Sequence, residues 1–210
     1  MFSLTSVEQD KPFTIEQIAN NMQKVFDQTH RLVILVDTTL EPDTFDQLKA
    51  EVGKEHIVNV PLAKGQKADN TPVFFIEIKE QSVFDKVKLQ LVERISLHYN
   101  YDNSAYLVCG FGSSKLDNET LNDRFKKSLV LSDQKSEFLF RWYDPRVLIY
   151  LDAIFSEHQL NSLLGIFDHW HFIHPIGYFE WIKKNNEVFV KKALLHKPSI
   201  KSLFSNIISK

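Results

Sequence analysis

Glycine and cysteine are scarce in this 210-residue chain, which has six glycines and a single cysteine. The shortage of glycine argues against folds that depend on glycine-rich phosphate loops. A lone cysteine, Cys109, excludes an intramolecular disulfide and a cysteine-based zinc site. It also fits a reducing, cytoplasmic compartment, because secreted proteins of modest size commonly carry disulfides.

The chain also lacks a charge excess and a long hydrophobic run. Lys and Arg total 25 against 27 Asp and Glu, whereas nucleic-acid-binding proteins usually carry a basic excess or stripe. We therefore expect no nucleic-acid partner. No apolar run approaches the length of about 18 residues that suggests a transmembrane helix, so no membrane insertion is expected. The N-terminal stretch "MFSLTSVEQDKPF" lacks the basic and apolar regions of a secretory signal, and a cytoplasmic location is predicted.

Apolar residues are plentiful, at 43% of the chain with 17 phenylalanines. This supply suits a core and aromatic protein-binding surfaces. Between about residues 30 and 155, strand-like apolar runs alternate with helical periodicity. The predicted strands are 31–37, 56–62, 73–78, 105–112 and 136–143, and the predicted helices are 14–28, 41–52, 82–98 and 118–129. Such alternation predicts an α/β fold with a mostly parallel sheet flanked by helices.

The pattern changes after residue 155. Helical periodicity predicts helices over 156–165, 187–196 and 199–209, separated by the aromatic stretch "FDHWHFIHPIGYFEWI". We therefore expect an α/β domain over 1–155 and a smaller helical C-terminal lobe over 156–210.

Three segments offer candidate chemistry, and each has a plainer explanation. The turn "GFGSS" (110–114) could bind phosphate, but it lacks the complete glycine fingerprint and is predicted to be a strand-exit turn. His169, His171 and His174 could ligate zinc, but no helical pair or cysteine accompanies them, and no metal or other cofactor is expected. Cys109 lies in an apolar strand, where a thiol is usually inert.

Asp37 and the segment "FRWYDPRVL" (140–148) hold the remaining candidates. Asp37 ends a predicted strand, a common place for a catalytic or metal-binding carboxylate in open sheets. In the segment, Asp144 is predicted to cap a helix whose first residue is Pro145. Arg141 is close enough to pair with Asp144. Arg146 lies near the positive end of this helix, which is electrostatically unfavourable and suggests an acidic partner; a solvated arginine is an equally good explanation.

The same segment resembles the signature F-R-[FYW]-Y-D-P-R-V-L of the type VI secretion adaptor-chaperone family, and the order of elements over about 30–180 is similar. Trp142 stands where Tyr or Phe is more usual. The resemblance implies a non-enzymatic cytoplasmic adaptor that binds a secreted effector protein and helps to load it on the tube-tip spike protein. The predicted partner-binding residues are Arg141, Tyr143, Arg146, Trp170 and Trp181, with Asp144 and Pro145 as the structural part of the signature.

Two other functions stay open at this stage. An α/β enzyme or a small anionic-ligand-binding protein could use Asp37, the 110–114 turn and Arg141 with Arg146 as an anion site. This alternative requires one pocket that joins these elements. A purely structural domain is the second alternative.

Overall fold

The strand β1, Leu32–Asp37, is the third strand of a seven-stranded sheet and is buried along its whole length. The computed structural model describes residues 14–40, 44–62, 71–100, 107–132, 137–184 and 188–196. The helices are α1 (Ile15–Thr29), α2 (Thr44–Val52), α3 (Gln81–Asn100), α4 (Asn118–Ser128), α5 (Pro145–Leu148), α6 (Leu151–Ile154) and α7 (Glu157–Leu164). The other strands are β2 (Ile57–Asn59), β3 (Val73–Ile78), β4 (Val108–Ser113), β5 (Val130–Ser132), β6 (Glu137–Leu139), β7 (His169–His174), β8 (Gly177–Lys184) and β9 (Val188–His196).

The prediction of a mostly parallel sheet is wrong. The strand order is β2-β3-β1-β4-β7-β8-β9, and each neighbouring pair runs antiparallel. The helix α3 does connect two strands of the same direction, β3 and β4, but β1 lies between them and runs the opposite way. The predicted alternation of strands and helices is therefore present. The strands that a helix connects are not neighbours in the sheet, however, so the sheet is not parallel.

The prediction of a helical C-terminal lobe is also wrong. The helix α7 is confirmed close to its predicted range, but 169–184 forms the hairpin β7–β8, and the predicted helix 187–196 is the strand β9. Because β7 pairs with β4, these strands extend the same sheet. The predicted helix 199–209 lies outside the described residues, and the boundary at residue 155 stays a prediction.

Two apolar cores lie on opposite faces of the sheet, because successive strand residues point to opposite sides. Ile34 and Val36 of β1 face the core that contains α1, α2 and α3. Val33 and Leu35 face the core that contains α4 to α7. Asp37 follows in the same alternation and points towards the second core, where its side chain meets the 140–148 segment.

The first helix, predicted over 14–28, spans Ile15–Thr29 and begins with a capping box. Thr14 accepts a hydrogen bond from the Gln17 N–H, and the Gln17 side chain accepts one from the Thr14 N–H, which completes a capping box. His30 ends the helix in the left-handed conformation, with φ of 49°.

Candidate functional site

Asp37 is the centre of the charged cluster, and only 1% of its side chain is exposed. Tyr143 donates its hydroxyl to Asp37 Oδ2 at 2.8 Å, and the Arg141 guanidinium pairs with the same oxygen. Thr39 donates both its backbone N–H and its hydroxyl to Oδ1, at 2.9 and 2.5 Å. Removing a carboxylate from water is costly unless it is paired and hydrogen-bonded, and here four donors meet that requirement.

The two arginines of the signature have different partners from those predicted. Arg141 pairs with Asp37 rather than with Asp144. Arg146 instead pairs with Asp144, with Nε at 2.9 Å from Oδ1 and 3.2 Å from Oδ2. Each arginine thus has its own carboxylate. The unfavourable position of Arg146 near the helix start is compensated by Asp144, a partner within the chain.

The strand-to-helix corner at Asp144 is confirmed. Asp144 caps α5, and its Oδ1 accepts the Arg146 N–H at 2.9 Å. Pro145 is the first helical residue, where its missing N–H costs nothing. The strand before the corner is shorter than predicted, because β6 ends at Leu139.

Trp142 and Tyr143 attach the signature to α4. Both side chains are fully buried, and their rings lie 5.7 and 5.5 Å from the Phe125 ring. Trp142 donates its indole N–H to Ser128 Oγ at 2.8 Å, which gives the buried indole a hydrogen-bond partner on α4. Burial, with the nearby charge of Asp37, raises the pKa of Tyr143 well above its ordinary value. The Tyr143 hydroxyl therefore stays protonated and remains a donor to Asp37.

The two other predicted aromatic contacts are also core residues. Trp170 and Trp181 have no exposed surface. Trp170 stacks on Phe167 with ring centroids 4.2 Å apart. Trp181 lies beneath the ammonium group of Lys191, which also donates to Asp152 Oδ1 at 2.8 Å.

Of the five predicted partner-binding side chains, the two arginines reach the surface. Arg141 is 34% exposed and Arg146 is 54% exposed, whereas Tyr143, Trp170 and Trp181 are buried. Arg141 and Arg146 could therefore contact a partner directly, whereas the three aromatic residues have no exposed surface for such a contact. The role of these residues in binding stays a prediction.

The elements of the alternative anion site do not lie together. Gly110 and Gly112 are inside β4 rather than in a turn, and a Cβ on Gly112 would approach the His169 carbonyl oxygen to 2.2 Å. These glycines permit close strand packing. Gly112 pairs with Val33, four residues from Asp37 and hence about 13 Å away along β1. Gly110 pairs with Leu35, and from there the 110–114 segment runs away from Asp37, so that Ser114 lies near Arg31 at the opposite end of β1.

Cys109 and His171 are buried, whereas His169 and His174 are partly buried. Burial raises the pKa of the Cys109 thiol well above its ordinary value, which agrees with the predicted inert core cysteine. His169 and His171 share one face of β7, and His174 lies on the other. Burial lowers the pKa of His171 to about 3. Within the described ranges, no group of three or more His, Cys, Asp or Glu side chains could hold a metal ion.

A second buried polar cluster, which the sequence analysis missed, lies at the other end of β1. Arg31 donates to Glu77 Oε1 at 2.6 Å, to Asn118 Oδ1 at 2.8 Å and to the Ser114 carbonyl at 2.7 Å. Asn118 donates in turn to Glu77 Oε2 at 2.7 Å. The sequence offered one signal of this cluster, the single carboxylate Glu77 in the apolar strand "VFFIEI". Its pairing with Arg31, however, follows only from the antiparallel register of β1 and β3. The cluster ties the start of α4 to the sheet.

Comparison with known proteins identifies the family. Residues 34–162 match the family described as "Domain of unknown function (DUF4123)". The chain belongs to this family. The matched range begins in β1 and ends in α7, so it contains Asp37, its hydrogen-bond donors and the whole signature, whereas the DUF4123 match leaves out β7, β8 and β9. No curated protein and no solved structure matches the chain.

In the part of the chain that the structure describes, none of the helices combines the length and the apolar character required to cross a membrane.

Proposed function

We propose that this DUF4123 protein is a non-enzymatic cytoplasmic adaptor-chaperone that binds a type VI secretion effector and helps to load it on the spike protein. The observation that carries the proposal is the family match over 34–162, which includes the intact signature. The family is associated with effector adaptors of type VI secretion systems. The cargo is a protein, and the adaptor itself is not exported.

The geometry of the signature supports a structural rather than a chemical role for its charges. Asp37 is enclosed by Tyr143, Arg141 and Thr39, and Asp144 is paired with Arg146. A catalytic acid or base needs a reacting group within hydrogen-bond reach. Here the carboxylate oxygens already accept hydrogen bonds from the chain, so the cluster stabilises the corner between β6 and α5 and fixes the surface around it.

The function is tested by co-purification with the proteins encoded beside this gene, since adaptors of this kind tend to be encoded beside their cargo. The tagged chain is expected to retain an effector or spike protein through size-exclusion chromatography. Retention of no neighbour-encoded protein would overturn the proposal.

The signature surface is tested by Arg146→Ala. The Arg146 side chain is half exposed and pairs locally with Asp144, so we expect the free energy of unfolding to change by less than about 1 kcal/mol. Binding of the co-purified partner is expected to weaken. Arg94→Ala is the matched control, because Arg94 also pairs with one carboxylate, Glu51, but on the far side of the sheet. Equal affinity of the Arg146 variant and the control would remove Arg146 from the interface.

A further inference from the structure

A groove of about 780 Å³ opens on the side of the second core, between α4, the β5–β6 hairpin and α7. Its base is apolar and includes Leu163 and Ile166, which belong to that core. Val130 and Leu131 of the hairpin form a wall, and they are 46% and 42% exposed. The groove is therefore open to solvent and lined in part by large apolar side chains.

The apolar surface continues from the groove across the hairpin. Phe138 and Leu139 of β6 pair with Leu131 and Val130 of β5, and both are more than half exposed. The pair Val130–Leu139 and the pair Leu131–Phe138 lie on opposite faces of this two-stranded hairpin, and all four side chains are exposed to water. Single exposed apolar residues are ordinary on protein surfaces, but four on one small hairpin beside a groove are typical of an interaction site.

The charge around the groove has one sign. Arg124, Lys127 and Lys183 line it, and none of the described lining residues is an Asp or Glu. Lys127 is paired with Asp123 on the outer surface of α4, whereas Arg124 and Lys183 are exposed beside the apolar wall. An apolar base with a basic rim is complementary to an acidic segment that carries apolar side chains.

We propose that this groove binds an acidic, amphipathic segment of the effector, with apolar side chains against Leu131 and Val130 and carboxylates beside Arg124 and Lys183. The inference rests on the proposed adaptor function, because it assigns the surface that holds the cargo. The chain's own residues 197–210 are a poor occupant, since they contain three lysines and no Asp or Glu side chain.

The charge half of the proposal is tested with the double variant Arg124→Glu/Lys183→Glu. The probe is the purified neighbour-encoded effector, together with synthetic peptides that tile its sequence. The double variant is expected to bind at least about tenfold more weakly than the wild type, with a smaller dependence on salt. The control, Lys24→Glu/Lys86→Glu, makes the same change in net charge at exposed lysines of α1 and α3 on the opposite face, and it should bind as the wild type does.

The apolar half is tested with Leu131→Ser, and Leu89→Ser is the control on α3, where Leu89 is 62% exposed. Leu131→Ser is expected to weaken binding about tenfold, as truncation of an apolar anchor does, while Leu89→Ser leaves binding unchanged. Both variants alter exposed residues, and their melting temperatures should match the wild type.

The outcomes separate the inference from the function on which it rests. If the wild type binds the effector and both groove variants bind equally well, the groove proposal is overturned and the adaptor function stands. If the wild type binds no neighbour-encoded protein, the adaptor function fails. Competition by a peptide of residues 197–210, or a concentration-dependent dimer that the groove variants abolish, would also overturn the proposal, because the occupant would then be this chain itself.

Discussion

At the scale of single residues, Asp37 best illustrates how a side chain of catalytic type can serve the fold. A carboxylate at the end of a buried strand is compatible with a catalytic role and with a structural one. Its four hydrogen bonds give it a structural role, because they connect β1 to Thr39, which follows it, and to the 141–143 segment of the signature. The Arg141 contact spans 104 residues of sequence, so no local pattern could have predicted it.

Replacing Asp37 by alanine is expected to destabilise the protein by about 2–4 kcal/mol, because the buried Tyr143 hydroxyl and the Thr39 groups lose their acceptor. Urea unfolding followed by tryptophan fluorescence measures the change. The control is Asp123→Ala, which removes an exposed carboxylate paired with Lys127 and should cost only a few tenths of a kcal/mol. A stability equal to that of the wild type would contradict the structural role of Asp37.

At the scale of secondary-structure elements, local signals were sufficient where the element is defined locally. The predicted helix 14–28 and the predicted Asp144–Pro145 start of α5 are confirmed, because the capping box of α1 and the Asp144 cap are contacts within three residues. The strand β9 does not follow in this way. Its sequence "VFVKKALLH" contains helix-forming Lys, Ala and Leu, but pairing with β8 along its whole length makes it a strand.

The sequence contained a signal of the hairpin β7–β8, but the many apolar and aromatic residues on both faces made it hard to recognise. Pro175 and Ile176 separate two aromatic-rich segments, and His174 pairs with Gly177 across the turn. Alternation of buried residues on each side of the Pro-Ile pair is typical of a hairpin. Most side chains here are buried on both faces of the sheet, which masks this alternation. The antiparallel pairing of the sheet could not be predicted for a related reason. The sequence does not show that β1 lies between β3 and β4.

The buried histidine of β7 predicts a dependence of stability on pH. Burial holds the pKa of His171 at about 3, whereas an unfolded chain would bind the proton near pH 6.5. Since the unfolded state then binds more protons, stability falls as the pH drops below about 6.5 and continues to fall towards 3. Between pH 7.5 and pH 5.5 the loss from this residue is about 1.4 kcal/mol.

The groups that face His171 are the Tyr178 hydroxyl at 3.1 Å, Glu180 at 3.4 Å, His169 and the stacked ring of Phe111. Burial raises the pKa of Glu180, so its protonation opposes the histidine effect at lower pH. Urea unfolding at pH 7.5 and 5.5 should show a smaller loss for His171→Gln than for the wild type. His158→Gln, at an exposed position of α7, should leave the loss unchanged. An identical loss in the His171 variant would contradict the assignment.

At the scale of the whole molecule, the sheet joins the family-matched part of the chain to the strands that follow it. The match to DUF4123 ends at residue 162, yet β7 pairs with β4, and the core on that face contains Trp170 and Trp181 together with Trp142 and Tyr143. The surface that carries Arg141 and Arg146 therefore depends on strands outside the matched range. A division into two domains at residue 155 would separate side chains that share one core.

A fragment of residues 1–155 is accordingly expected not to fold by itself. It would expose the β4 edge that pairs with β7 and the aromatic face that Trp170 and Trp181 cover, and an exposed apolar edge strand favours aggregation. Near-UV circular dichroism and urea unfolding of the purified fragment provide the measurement, with loss of the cooperative transition as the expected result. Co-expression with residues 156–210 is the control and should restore a soluble complex, because it returns β7 to β4 and both tryptophans to the core. Cooperative unfolding of the 1–155 fragment alone would contradict this dependence and support a domain boundary at residue 155.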